Sequence, residues 1–283
     1  VNKPVQQKNA IITGAASGLG RAIALRLARD GWRIAVCDVD DPGSQQTAQL
    51  IEQAGGAARV ETLDVTSIDR WGELSARLRA DWDQLDLLVN NAGVAGAGNV
   101  GEFPIDAWQW MVGVNMWGVV YGCHTMVDWL KANPRGGHII NTSSAASFGT
   151  PPTMAAYNVT KAAVVALSET LYAELLPDGV GVSVLCPSFF QTNLLDGARF
   201  TDRRALKAAE SHIRKATLTA ENVADAAVAA MARKKLYVVV PGETWRYWLL
   251  KRMAPMYYLR KVSVLINRAG QSSSSGDTDT QRT

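Results

Sequence analysis

Short apolar, β-branched runs alternate along the chain with stretches in which apolar positions recur every three or four residues. The runs predict strands over Ala10–Thr13, Arg33–Cys37, Ala58–Thr62, Asp86–Asn90, His138–Asn141, Gly181–Cys186 and Leu236–Val240. The longer periodicity predicts helices near Leu19–Asp30, Ser44–Ala54, Ile68–Trp82, Ile105–Ala132, Ala155–Leu176 and Ala220–Ala232. Apolar strands alternating with amphipathic helices make a parallel sheet covered on both faces. The expectation is a single doubly wound α/β domain with seven strands over residues 1–242. A basic and aromatic arm follows over 243–269. The last residues, 270–283, are polar and are expected to be a disordered tail.

Composition narrows the function. The chain has 283 residues, 47% hydrophobic and 19% charged, enough to bury a sizeable core without cross-links. Its net charge of +3 argues against a nucleic-acid partner, which calls for a much larger basic excess. Cys37, Cys123 and Cys186 are too few and too scattered for a disulfide framework, so a reducing, cytoplasmic setting is expected. His124, His138 and His212 show no paired-ligand spacing, so no metal site is expected. Val1–Asn9 has no basic segment followed by a long apolar stretch, and predicts no secretory leader. The longest charge-free stretch, Ala107–Val127, is broken by Gln109, Asn115, His124 and three glycines, and reads as a buried helix rather than a membrane span.

Charge is uneven. Residues 241–283 carry seven basic and three acidic side chains, which leaves the first 240 residues at −1. Within Thr244–Arg268 the basic residues are interleaved with Trp245, Tyr247, Trp248, Tyr257 and Tyr258. Such a pattern fits a membrane-surface or partner-binding helix. Pro255 interrupts it, however, and the basic residues do not fall on one face. The favoured reading is an arm packed over its own cleft or over a neighbouring subunit.

Candidate chemistry starts at the first strand, which runs into Thr13-Gly14-Ala15-Ala16-Ser17-Gly18-Leu19-Gly20 and then a helix. Glycine at a strand-to-helix turn lets the backbone approach a diphosphate, which the N–H groups and dipole of the helix N-terminus then stabilise. The second strand ends at Asp38, where a carboxylate is placed to accept hydrogen bonds from the hydroxyls of an adenosine ribose. It would repel a 2′-phosphate, and no Lys or Arg lies in Ala15–Ser17 to attract one, so NAD is favoured over NADP. Further along, Tyr157 and Lys161 stand four apart at the start of a long helix, on one face and one turn from each other. A neighbouring ammonium stabilises a phenolate and lowers its pKa from about 10, which suits a tyrosine for acid–base work. Ser144 lies thirteen residues before Tyr157, at the sheet's carboxyl edge, where its hydroxyl can position a substrate oxygen; Ser143 is the alternative.

The Gly-x-x-x-Gly-x-Gly spacing resembles the short-chain dehydrogenase/reductase family, whose fold is Rossmann-like, and other motifs follow that family in order. Asp64-Val65 looks like its adenine-binding pair, and Asn90-Asn91-Ala92-Gly93 like the element that braces the sheet and lines the cofactor cleft. Ser144, Tyr157 and Lys161 match its catalytic triad, and Asn115 its helix asparagine. The resemblance implies that Tyr157 passes the proton, Lys161 binds the nicotinamide ribose, Ser144 holds the carbonyl or alcohol, and Asn115 holds a water linking Lys161 to solvent. After the sixth strand, Pro187 and Thr192 match the family's pattern, although Ser188 replaces its usual glycine. The cofactor-binding set is therefore Gly14, Ser17, Gly18, Leu19, Gly20, Asp38, Asp64, Val65, Asn91, Ala92, Gly93, Tyr157, Lys161, Pro187 and Thr192. Family members pair through two long helices, which implies a homodimer or homotetramer.

Phe148, Pro151, Pro152, Met154, Phe189, Phe190, Leu194 and Leu195 surround these positions in sequence, and Phe200 to about Lys215 is expected to cover them. The function expected is an NAD(H)-dependent oxidoreductase interconverting a secondary alcohol and a ketone on a hydrophobic small molecule. The competing reading is a non-catalytic dinucleotide-binding scaffold or a membrane-associated sensor that uses the arm. Ser144, Tyr157 and Lys161, all present, speak against it.

Overall fold

A computed structural model describes residues 7–192, 194–201 and 203–274. Strand β1 (Asn9–Thr13) leads into α1 (Gly18–Ala28), β2 (Arg33–Asp38), α2 (Asp41–Gln53), β3 (Ala57–Thr62), α3 (Ile68–Arg79) and β4 (Leu87–Asn90). A two-residue strand β5 (Gly96–Ala97) precedes α4 (Ile105–Val112), a π-helical turn (Gly113–Trp117) and α5 (Gly118–Lys131). Then come β6 (His138–Thr142), α6 (Ala146–Gly149), α7 (Ala155–Leu175), β7 (Gly181–Pro187) and the short β8 (Arg199–Phe200). The remaining elements are α8 (Arg203–Lys215), α9 (Ala220–Ala232), β9 (Tyr237–Val240), α10 (Trp245–Met253) and α11 (Pro255–Ser274).

All seven expected strands form one parallel sheet in the order β3-β2-β1-β4-β6-β7-β9. Alternate residues feed two cores: Ala10, Ile12, Ile34 and Val36 pack under α1, α2 and α9, while Ile11, Ala35 and Cys37 pack under α3, α5 and α7. Burial on both faces explains why these strands read as continuous apolar runs. The strand order reverses direction between β1 and β4, which opens a crevice at the carboxyl edge. Helix boundaries follow local chemistry. Asp40 caps α2 by accepting from the Gly43 N–H, with Pro42 in the first turn, so the helix begins before the expected Ser44. The three cysteines are free and buried, and burial pushes the Cys123 and Cys186 thiols up to about 12.

The structure departs from expectation in three places. The single helix expected over Ile105–Ala132 is split by the π-helical turn at Gly113–Trp117. Two short strands, β5 and β8, pair with each other outside the main sheet and tie the segment before α8 to the loop after β4. The last helix continues through 270–274, the first residues of the expected tail; 275–283 lie outside the described residues. Among the described residues, no helix is long and apolar enough to cross a membrane.

Candidate active site

The carboxyl ends of the sheet open into a cavity of about 1660 Å³. That exceeds the roughly 300–1,000 Å³ of a typical small-molecule pocket, so there is room for a dinucleotide and a second sizeable molecule. At one end it is floored by the glycine turn. Gly14 has φ +64°, and a Cβ there would lie 2.8 Å from the Ala92 Cα. A Cβ at Gly20 would run into the Gly14 carbonyl, which makes that glycine a packing requirement of the turn. Gly18, φ +51°, sits beneath Thr192, whose Oγ1 would be 3.5 Å from a Cβ on it. Ser17 starts α1 with extended backbone and no side-chain capping bond, so the first N–H groups of the helix face outward.

Gly14, Ser17, Leu19, Asp38, Asp64, Val65, Asn91, Ala92, Gly93 and Pro187 all line the cavity; Gly18, Gly20 and Thr192 are not among its lining residues. The Asp38 carboxylate accepts from the backbone N–H groups of Ala16 (3.0 Å), Val39 (2.8 Å) and Asp40 (3.1 Å). With roughly four lone-pair positions, the carboxylate keeps acceptor capacity on the cavity side for a ribose. Arg21, the arginine nearest the turn, is spent between the turn and α2, donating to the Ala16 carbonyl, to Thr47 Oγ1 (2.8 Å) and to Gln46 Oε1 (2.9 Å). Asp64 accepts from the N–H and hydroxyl of Thr66, and Ser67 rather than Asp64 caps α3. Asn91 bridges two strands, its Nδ2 donating to the Thr13 and Gly14 carbonyls. Together the glycine cradle, the open helix end and the acid at the end of β2 fit the adenosine diphosphate half of a nicotinamide dinucleotide.

Helix α7 carries Tyr157 and Lys161, both buried and both on the cavity wall. The Lys161 Nζ donates to the Thr142 carbonyl (3.0 Å) and lies 5.7 Å from the Tyr157 ring centroid. Burial pushes its amine down to about 8. Burial also pushes the Tyr157 phenol above its ordinary value, while a hydrogen bond with the Ser144 side chain pulls the other way. Burial is thus the larger influence on the phenol, with Ser144 opposing it and the Lys161 amine on the same wall. The serine doublet separates by role. Both line the cavity, but Ser143 Oγ donates to the Lys161 carbonyl at 2.7 Å and anchors α7, whereas Ser144 interacts with Tyr157.

Asn115 is fully buried in the π-helical turn, off the cavity wall. Its Oδ1 accepts from the Val94 N–H (2.8 Å), and its Nδ2 donates to the Val94 carbonyl (2.9 Å) and to Thr160 Oγ1 (3.3 Å). A Cβ on Gly93 would lie 3.3 Å from Asn115 Oδ1 and 3.4 Å from Lys161 Nζ, so the two side chains flank one stretch of backbone. The extra residue of a π-bulge, common at functional sites, is what turns the asparagine inward to brace that stretch.

The other end of the cavity is apolar, walled by Trp110, Phe148, Met154, Phe189, Leu194 and Leu195. Beside it, Arg199 is bound to Asp106 (3.2 Å) and stacked over Trp110 (4.4 Å). Sequence reasoning placed the arm over its own cleft or a neighbouring subunit, and the structure puts it over the cleft, but the residues of this roof were not foreseen. Thr244, Tyr247, Tyr258 and Val262 of the arm line the cavity, and Tyr258 Oη donates to the Gly149 carbonyl (3.0 Å). It also missed Thr13, whose Oγ1 accepts from the Asn91 and Ala92 N–H groups (2.9 and 3.0 Å) and fixes that segment over the turn. A threonine closing a strand just before a glycine turn was the available signal.

A doubly wound sheet with a glycine cradle at its switch point and a Ser-Tyr-Lys wall defines a dinucleotide-dependent oxidoreductase fold. The sequence profile described as short chain dehydrogenase matches residues 8–203, and the chain belongs to that family. A short-chain dehydrogenase/reductase from Burkholderia phymatum, solved in complex with NAD, is 32% identical, with a TM-score of 0.82 over 87% of this chain and 93% of that one. An alcohol dehydrogenase from the archaeon Thermococcus sibiricus, complexed with 5-hydroxy-NADP, is 27% identical, with a TM-score of 0.71 over 83% of this chain and 96% of that one. The probable oxidoreductase EphD of Mycobacterium tuberculosis is 34% identical over 252 residues. Those residues are 86% of this chain but 43% of that protein, so the chain spans less than half the length of that relative.

Proposed function

We propose that the chain is an NAD(H)-dependent oxidoreductase that interconverts a secondary alcohol and a ketone on a hydrophobic small molecule. The carrying observation is that Ser144, Tyr157 and Lys161 share one wall of a cavity whose far floor is the glycine turn and whose edge is Asp38. A nicotinamide cofactor bound there would supply the hydride acceptor or donor. Tyr157 holds the proton at its Oη and exchanges it with the substrate oxygen. Ser144 orients that oxygen and hydrogen-bonds the phenol. Lys161, held by the Thr142 carbonyl, retains two N–H donors for a ribose and for the charge that develops on Tyr157. Asn115 is a positioning residue that fixes Gly93 and Val94 beside Lys161. The apolar wall excludes water and selects an apolar substrate.

Asp38 and the committed Arg21 favour NAD over NADP. The exposed Trp117, stacked on Tyr121 at 5.5 Å, fits a helix contact in a homodimer or homotetramer. The test is Tyr157→Phe. Turnover of any accepted alcohol is expected to fall at least about a hundredfold, with NADH binding, read by fluorescence, retained. Because the phenol is raised, alcohol oxidation by the unmodified enzyme is expected to quicken as pH climbs above neutrality. Unchanged turnover in the variant would remove Tyr157 from the mechanism.

A further inference from the structure

Residues 244–276 contain six Lys or Arg and no Asp or Glu, although the rest of the chain is net acidic. The structure folds most of this segment into α10 and α11, whose inner sides are occupied. Trp245 and Trp248 pack on Tyr237 at 5.7 and 6.4 Å, Tyr258 bonds to Gly149, and Lys251 Nζ donates to Thr150 Oγ1 at 3.2 Å. The outer side is different. Seven of the sixteen large apolar side chains exposed among the described residues fall within residues 249–264. They gather at the corner where Ala254 ends α10 and Pro255 opens α11, with Leu250, Met253, Met256 and Tyr257 projecting; Met253 is 84% exposed, the highest value in that set. Exposed Arg246, Arg252, Arg260 and Lys261 surround them. Two of these cations lie over aromatic rings, Arg252 over Trp248 (4.9 Å) and Lys261 over Tyr257 (5.6 Å). The proline that breaks the sequence pattern is therefore the hinge that turns the apolar residues outward.

We propose that this outer face docks on an anionic lipid surface, with the α10–α11 corner entering the headgroup layer and the cations meeting lipid phosphates. Charge selects this occupant. A second copy in a two-fold contact would set the patch against itself, facing cations with cations and no acid to pair them. A nucleic acid would satisfy the cations but leave Met253 and Met256 in water. An anionic membrane satisfies both, since amphipathic elements bury apolar side chains below the headgroups while Lys and Arg hold the surface. The docked helices are also the roof of the apolar cavity, so the face that meets lipid is the reverse of the one that meets substrate.

The experiment is vesicle flotation of the full chain. Binding is expected to phosphatidylglycerol–phosphatidylcholine vesicles, and only weakly to pure phosphatidylcholine, and it should fall as salt is raised on the unmodified protein. Each cation at the surface is worth about fivefold in partition, so Arg252→Glu with Arg260→Glu should lower binding more than about tenfold. Met253→Glu with Met256→Glu should also weaken it, with circular dichroism unchanged in both variants. Failure to float with the anionic vesicles would overturn the proposal, as would equal flotation with both vesicle types. So would a halving of the solution mass in the methionine variant, which would assign the face to a second copy.

Discussion

Replacing Asn115 with alanine tests whether the π-helical turn exists to brace the cavity floor. The carboxamide holds both backbone groups of Val94, at 2.8 and 2.9 Å, and adds a bond to Thr160 at 3.3 Å. Alanine leaves the Val94 N–H and carbonyl without these partners. An orphaned buried group costs about 1–3 kcal/mol, and Val94 is only half-buried, so water recovers part of the loss. The expected cost is about 3 kcal/mol, or a midpoint lowered by roughly 6–12 °C for a chain of this size. Urea unfolding followed by tryptophan fluorescence measures it. Activity should fall as well, because Gly93 and Val94 form the wall beside Lys161. The informative comparison is Asn115→Asp, which keeps an acceptor for the Val94 N–H but cannot donate to its carbonyl, and should lose stability too. If the alanine variant unfolds within about 1 kcal/mol of the parent while its turnover collapses, the bracing argument fails, and the side chain acts on the reaction directly.

That asparagine also marks a limit of sequence reading. The central strands were legible because they are buried on both faces and so keep a nearly unbroken apolar run, as in Asn9–Thr13 and Gly181–Pro187; the outer β3 and β9 are only half-buried. Nothing comparable announces β5 and β8, two residues each, which exist only because two loops meet. The helix over 105–132 was legible, but the inserted residue at Gly113–Trp117 was not. It accompanies a bond to Val94, twenty-one positions back, and local periodicity carries no trace of it. The site divides in the same way. Gly14, Asp38, Ser144, Tyr157 and Lys161 follow from spacing along elements whose ends are predictable. The direction of the Tyr157 shift does not, because it comes from burial, which spacing along the chain does not report. Composition marked the arm as unusual, yet its place over the cavity depends on Tyr258 reaching Gly149 across 109 positions.

Three more outcomes are expected. Asp38→Ala combined with Val39→Arg, the latter an exposed position on the cavity edge, should shift coenzyme preference toward NADP; an unmodified enzyme that already prefers NADP would refute the assignment of Asp38. Val262→Trp narrows the roofed end, and should raise KM about tenfold for bulky alcohols while sparing small ones; an equal effect on both would mean that substrates do not reach the arm. The last concerns acid stability. Ser183 spends its hydroxyl hydrogen on the Lys235 carbonyl (2.7 Å), so His138 Nε2, 2.9 Å from Ser183 Oγ, is the donor in that contact. Burial, with Lys234 adding to it, lowers the His138 pKa from 6.5 to about 4. The folded imidazole stays neutral while the unfolded one takes up a proton, so its contribution is complete above pH 6.5 and is lost as pH falls toward 4. The shift corresponds to about 3 kcal/mol. His138→Gln keeps a donor for Ser183 but cannot titrate, so its urea midpoint should fall less steeply across that window than the parent's; parallel curves would show that His138 does not set the acid limb.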